Sequence, residues 1–166
     1  MSRWVSLLLL IIVGAGGYAA YQWLKPSAED QIRSLLTDLA ETASIQPGTK
    51  GVAKLRALAR LPDFFTADIT LDLSVQAPTV GMVQGRVELK DLMAVAQSQL
   101  RSLQIDFVDI HIQMGAERVG ALAQTIVEAT MDPGEDPGVQ EYKIWLKLTE
   151  DGWRIDRVES VRSLSV

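Results

Sequence analysis

The chain has 166 residues, a formal net charge of −5 and no cysteine. This acidic balance argues against nucleic-acid binding, which requires a clustered basic surface. One histidine and no cysteine exclude the usual zinc ligand sets, so we expect neither a metal centre nor a cofactor. All 21 acidic residues follow position 25, and this part of the chain is long enough to form one domain with its own core.

The first element is an uncharged run over residues 4–24, between Arg3 and Lys25. As a helix it would be about 31 Å long, which matches the hydrocarbon thickness of a bilayer. Aromatic residues that prefer the headgroup zone stand near its two ends, namely Trp4, Tyr18, Tyr21 and Trp23. We therefore predict a signal-anchor transmembrane helix over residues 1–25, bound to the lipid bilayer, and a separate domain over residues 26–166.

A cleaved signal peptide is the alternative, because the small residues between Gly17 and Ala20 resemble the end of such a segment. The apolar character continues to Leu24, which favours a retained anchor. The flanking charges nearly balance and do not fix the orientation. A short leader before an apolar run is typical of a signal anchor. It predicts a single-pass protein of the bacterial inner membrane with its C-terminal domain in the periplasm.

The domain begins with two predicted helices. Ser27 is a suitable cap for the first, with Asp30 in the capping-box position. Apolar residues then follow at helical spacing, namely Ile32, Leu35, Leu36, Leu39 and Ala43. Pro47 and Gly48 end this helix. The second helix is short and carries Val52, Leu55, Leu58 and Leu61 as its apolar face.

The remaining elements are mostly strands. Alternation from Ile69 to Val75 predicts a strand with one buried face. A third helix follows with apolar residues from Leu89 to Leu103. Short turns then separate four predicted strands, over residues 105–114, 119–131, 142–148 and 153–164. This order predicts an α+β domain, with about three helices on a curved, mainly antiparallel sheet whose last four strands pair in sequence order.

This order of elements and two local stretches resemble the nuclear transport factor 2-like (SnoaL-like) superfamily. Residues 85–92, GRVELKDL, resemble the start of the family's third helix. Residues 150–156, EDGWRID, resemble its closing hairpin, where a Trp after the turn packs beneath the sheet. The resemblance covers residues 27–164. It implies a cone-shaped domain with a pocket between sheet and helices, and a convex sheet face that often forms homodimers.

The same resemblance leaves the activity open. Members of the superfamily include small-molecule enzymes, such as ketosteroid isomerase and scytalone dehydratase, and proteins that bind or scaffold. A fold alone does not choose between these functions.

Three polar residues are candidates for proton transfer if the pocket is catalytic. Asp109 and His111 are two apart on a predicted strand and therefore share a face, where a carboxylate could tune the imidazole. However, Val108, Ile110 and Ile112 are expected to form the core face, which leaves His111 in solvent unless a bulge intervenes. Glu128 lies in a strand that is apolar on both faces, so it could project inward, lie at the rim or form an ion pair.

A second acidic group is a weaker candidate for a site. Asp132, Glu135 and Asp136 lie in two successive Pro-Gly turns. These turns lack the regularly spaced oxygen ligands of a calcium loop, so we interpret them as surface turns.

These features favour a non-catalytic accessory or scaffold subunit of a membrane-associated complex, acting on other membrane or periplasmic proteins, with a homodimer as an open alternative. The competing hypothesis is a small-molecule-binding protein, or a non-hydrolytic enzyme of the isomerase or dehydratase kind, that uses the pocket. A pocket containing His111 or Glu128 would favour the second hypothesis. A cone filled by Leu, Met and Trp side chains would favour the first.

Overall fold

The computed structural model describes residues 26–49, 51–73, 81–131 and 136–161. The predicted anchor, with Trp4, Tyr18, Tyr21 and Trp23, lies outside the described residues. So do Asp132, Glu135 and the last residues of the final predicted strand. Within the described ranges, no helix is long and apolar enough to cross a membrane.

The elements of the described chain follow the predicted order, with two additions, a 3-10 helix and a short strand. In sequence they are α1 (Ala28–Ala43), α2 (Gly51–Arg60), a 3-10 helix (Leu61–Phe64), β1 (Phe65–Asp72), β2 (Met82–Gln84), α3 (Gly85–Gln99), β3 (Gln104–Met114), β4 (Gly120–Thr130), β5 (Gly138–Thr149) and β6 (Gly152–Ser160). Strand β2 was not predicted, because three residues are too few to show a period. The predicted α+β class is confirmed.

The strands form one sheet in the order β2-β1-β6-β5-β4-β3. Strands β3 to β6 pair antiparallel in sequence order, as predicted. Strand β1 pairs parallel with β6 and antiparallel with β2, which makes the sheet mixed. Helices α1 and α3 pack on the inner face of this sheet and enclose the core between helices and strands.

The predicted cap of α1 is present. The Ser27 hydroxyl accepts a hydrogen bond from the Asp30 backbone N–H at 3.1 Å, and the Asp30 carboxylate accepts one from the Ser27 backbone N–H, also at 3.1 Å. The Ser27 hydroxyl in addition donates to that carboxylate at 2.6 Å. These hydrogen bonds favour the charged carboxylate and so hold the pKa of Asp30 below its ordinary value. The bond from the Ser27 hydroxyl has the largest effect, followed by the bond from the Ser27 backbone N–H.

The Gly-Arg pair at the start of α3 joins this helix to β1. Gly85 has a φ of 78°, a left-handed conformation that a residue without Cβ adopts without strain. Arg86 turns back from there, and its Nε donates to the Phe65 carbonyl at 3.0 Å. The pair therefore ties the start of α3 to β1, and α3 begins at Gly85, where the resemblance placed the start of the third helix.

The core contains Trp153 at the start of β6. Its ring is 4% exposed and belongs to the main apolar cluster, with Ile155 on the same strand. On the neighbouring strand, Ile144 and Leu146 are buried against Ala121 and Ala123 of β4. Large residues on β5 and small residues on β4 thus pack together on the inner face of this part of the sheet. The predicted burial of Trp153 is confirmed.

Strand β3 contains a bulge that changes the predicted faces. Val108 pairs with Ile126 and His111 pairs with Gln124, so Asp109 and Ile110 both stand opposite Thr125. Asp109 has a φ of 51°, as expected for the extra residue of a bulge in the left-handed region. The bulge places Phe107 and Ile110 on the core side together. Val108 therefore lies on the outer face, and its predicted core position was wrong.

Helix α2 departs from prediction in its packing. None of its residues is buried, and Val52 and Leu55 are 64% and 67% exposed. The buried apolar residues of this region belong instead to the following 3-10 helix, where Leu61 and Phe64 enter the core. Helical spacing identified the helix but not the element against which its apolar residues would pack.

Candidate ligand-binding cavity

A cavity of about 240 Å³ lies inside the cone, between α1, α3 and the inner face of the sheet. Its lining is apolar except for one tyrosine. The lining residues are Leu39, Ala40, Ala43, Phe65, Leu71, Leu73, Met93, Ile105, Phe107, Val127, Tyr142, Ile144, Ile155 and Val158.

The strand alternation explains why these side chains meet. Phe107 of β3 pairs with Val127 of β4, and both project from the inner face. From the helix side, Ala40 and Ala43 lie one turn apart on α1 and face the sheet with methyl groups alone. Small side chains on the helix opposite branched side chains on the strands leave the space between the two layers open.

Tyr142 is the one residue of the described lining whose side chain has a polar atom. It lies in β5 between Thr125 of β4 and Ser160 of β6. The hydroxyls of both neighbours are engaged, because Thr125 donates to the Val108 carbonyl at 2.8 Å and Ser160 donates to the Asp72 carbonyl at 3.2 Å. Among the described residues, no charged side chain lines the cavity.

The three sequence candidates for proton transfer lie elsewhere. His111 is exposed on the outer face of the sheet, opposite Gln124, and Asp109 is exposed at the bulge. Glu128 is half-buried and pairs in register with Asp106 and Val139. Its neighbour Val127 lines the cavity, so Glu128 projects from the opposite face. None of the three contributes to the cavity, and the structure does not bring Glu128 and His111 together.

The acidic turn after β4 offers no site in the part that the structure describes. Asp136 is exposed, and its two predicted companions lie outside the described residues. Across the described ranges, no three His, Asp or Glu side chains gather where they could hold a metal ion.

The outer face of the sheet carries a second depression, of about 550 Å³. Trp145 is half-buried there between Leu122 on β4 and Arg157 on β6, with which it pairs in register. The Arg157 guanidinium lies over the Trp145 ring at 5.3 Å from its centroid and pairs with Glu159. This depression combines an aromatic ring with charged side chains, whereas the lining of the inner cavity is apolar.

The family resemblance implied a pocket between sheet and helices, but the sequence analysis did not identify the residues that line it. Tyr142 and Ile144 alternate with the charged residues Glu141 and Lys143, a pattern that predicts the core face for both. Nothing in the pattern distinguished residues that fill a core from residues that line a space within it. The one sequence feature that could have indicated a space was the pair of small residues on α1, Ala40 and Ala43.

Comparison with known proteins gives the fold. No protein-family model and no curated protein sequence matches this chain. Solved structures do match it. A proposed aromatic ring hydroxylase from Novosphingobium aromaticivorans has a TM-score of 0.65 and 15% identity, over 85% of this chain and 94% of the other.

Two further solved structures have a similar fold. A proposed dehydratase of the NTF2-like family from Streptomyces avermitilis has a TM-score of 0.64 and 13% identity, over 83% of this chain and 97% of the other. The yeast UBP3-associated protein BRE5 has a TM-score of 0.60 and 16% identity, over 84% of this chain and all (100%) of the other. At these identities the similarity concerns the fold alone. The described domain is an α+β cone of the nuclear transport factor 2-like type, with three helices on a mixed, curved sheet.

Proposed function

We propose that this domain binds an apolar small molecule in the cone cavity, without transferring protons there. The observation that supports this proposal is the lining, which is apolar except for Tyr142. Binding sites for small molecules are mostly apolar with a few polar groups that orient the ligand. General acid–base catalysis needs a group that titrates near the working pH, and the described lining contains no carboxylate or imidazole.

The size of the cavity restricts the ligand. An apolar cavity of about 150 Å³ can bind benzene, and drug-sized ligands occupy about 300 Å³ or more. A cavity of about 240 Å³ therefore fits a molecule of one or two rings, or a short branched chain.

Titration with indole, a soluble two-ring molecule, tests this proposal by calorimetry. Val127→Phe fills the cavity and should weaken binding at least tenfold. Val139→Phe is the matched control, because Val139 is 61% exposed in β5 and lies outside the cavity lining. Binding that is equally strong in the Val127→Phe variant, or no binding to the wild type, would reject the proposal.

Protein interaction, which the sequence favoured, is the second candidate. The outer depression around Trp145, Leu122 and Arg157 supports it, because aromatic and arginine side chains dominate binding energy at protein interfaces. Its test is chemical cross-linking in intact membranes, comparing wild type with Trp145→Ala. Loss of a cross-linked species in the variant, including a homodimer, would support this role. An unchanged pattern would reject it.

The place that we propose for either activity is the bacterial inner membrane, with the domain in the periplasm. The support is the uncharged run over residues 4–24, which is long enough to span a bilayer. Extraction of membranes with alkaline carbonate tests it. A chain that stays in the membrane fraction agrees with an anchor, and a chain released into the supernatant contradicts it.

A further inference from the structure

Helix α2 exposes an apolar stripe. Its half-buried residues, Lys54, Ala57 and Leu58, mark the side that packs on the domain. Val52 and Leu55 are 64% and 67% exposed on the other side. Exposed Ala59 continues the same stripe, since positions 52, 55 and 59 have the i, i+3, i+7 spacing of one helix face.

The charge of α2 is opposite to that of the chain as a whole. Its sequence, GVAKLRALAR, contains three basic residues and no acidic residue, in a chain of net charge −5. Arg56 and Arg60 are one turn apart, exposed, and border the apolar stripe along one side. In the described part of the chain, neither arginine has an ion-pair partner.

A groove of about 430 Å³ runs along the basic side of α2. All three basic side chains of the helix line it, and Glu41 of α1 is the one carboxylate in the lining. The Lys54 ammonium donates to the Leu100 carbonyl at 3.3 Å, which ties α2 to the end of α3. Among the described residues, Arg56 and Arg60 form no ion pair with a carboxylate. Positive charge therefore predominates along the groove.

We propose that α2 lies in the surface of an anionic phospholipid bilayer. This inference rests on the proposed membrane location of the chain. Val52 and Leu55 enter the boundary between headgroups and acyl chains, and Arg56 and Arg60 bind lipid phosphates beside the groove. A helix with an apolar stripe and a basic border is typical of binding at such a surface. Nucleic acid would be attracted to the arginines but would not bury the apolar stripe.

The absence of cysteine makes a direct test possible, since one introduced cysteine is the only thiol in the 166-residue chain. Leu55→Cys carries a nitrobenzoxadiazole dye, whose emission rises and shifts to shorter wavelength when it leaves water. The labelled chain is mixed with liposomes of phosphatidylcholine alone or of phosphatidylcholine with phosphatidylglycerol. Flotation with the liposomes measures membrane association independently of the dye.

We expect the chain to float with both liposomes and the dye at position 55 to shift only when phosphatidylglycerol is present. Adding Arg56→Gln and Arg60→Gln should abolish most of that shift, while the dye at Val139→Cys should stay in water throughout. A chain that floats while position 55 stays in water overturns the inference and leaves the anchor intact. A shift at position 55 without anionic lipid, as contact with a protein or a second copy would give, also overturns it. A chain that floats with neither liposome rejects the membrane location and this inference together.

Discussion

The Thr125 hydroxyl donates a hydrogen bond to the Val108 carbonyl at 2.8 Å, directly beside the bulge of β3. Thr125 is 2% exposed and stands opposite the two bulge residues, so this bond joins β4 to β3 at the point where the register shifts. The bulge in turn brings Phe107 to the cavity and Ile110 to the core. A single buried hydroxyl thereby supports the shape of the candidate site.

Thr125→Val should destabilise the domain by about 1–3 kcal/mol, because it keeps the shape of the side chain but removes the hydrogen bond of a buried hydroxyl to the Val108 carbonyl. The free energy of unfolding, measured in urea, checks this. Thr130→Val at the half-buried end of β4 is the control and should change stability by less than about 1 kcal/mol. Equal effects of the two variants would show that the bond at the bulge has no special role.

Trp153→Ala should cost about 3–5 kcal/mol of the free energy of unfolding, the usual range for deleting a buried aromatic ring. Trp145→Ala is the matched control, since this ring is half-buried on the outer face and should cost less than half as much. A loss below about 1 kcal/mol for Trp153→Ala would contradict the burial of its ring.

His111→Ala should leave the affinity for indole within about twofold of wild type, because His111 is exposed on the face of the sheet opposite to the cavity. Glu128→Gln should behave in the same way. Calorimetric titration of both variants measures this. A loss of binding of tenfold or more in either variant would move the site to the outer face.

Asp30 should stabilise α1 in a way that depends on pH. Its pKa is lowered in the folded state by the Ser27 hydroxyl and backbone N–H, so its contribution is present at neutral pH. That contribution should fade as the pH falls below the ordinary aspartate value of about 3.9. Asp30→Asn should therefore be less stable than wild type at pH 7, with a difference that shrinks on acidification.

Ser27→Ala is the companion variant for this prediction. It removes the hydroxyl that bonds to the carboxylate and should reproduce the same pH dependence. Thermal unfolding from pH 7 down to about pH 3 measures both variants. A difference between wild type and Asp30→Asn that grows on acidification would contradict the prediction.

The N-terminal run should remain in the mature protein, since its apolar character continues to Leu24 and bulky residues surround the possible cleavage point. Mass spectrometry of the protein purified from membranes checks this. An N-terminus at Met1 or Ser2 agrees with a retained anchor, whereas one at Ala20 or Tyr21 shows cleavage.

The sequence allowed much of the fold to be predicted, because periodic patterns report on local geometry. The capping box at Ser27, the alternation through Ile144 and the buried Trp153 all depend on contacts close in sequence or on a single buried face. The order of the last four strands followed from their short turns. These are the features that a sequence encodes within a few residues.

The rest depended on long-range packing. The bulge at Asp109 shifts the parity of β3, and no local signal marked an aspartate in the left-handed region as an inserted residue. Val52 and Leu55 have the spacing of a buried face, yet no element among the described residues covers them. The cavity depends on the distance between α1 and the sheet, which sequence periodicity does not specify.

The most direct test of the account is to locate bound indole by NMR. The proposal predicts nuclear Overhauser effects from the indole protons to the methyl groups of Val127 and Ile144, which line the cavity from β4 and β5. Effects to Leu122 and Val108 instead would place the ligand on the outer face of the sheet and contradict the central claim, as would the absence of any contact with the methyl groups of the cavity.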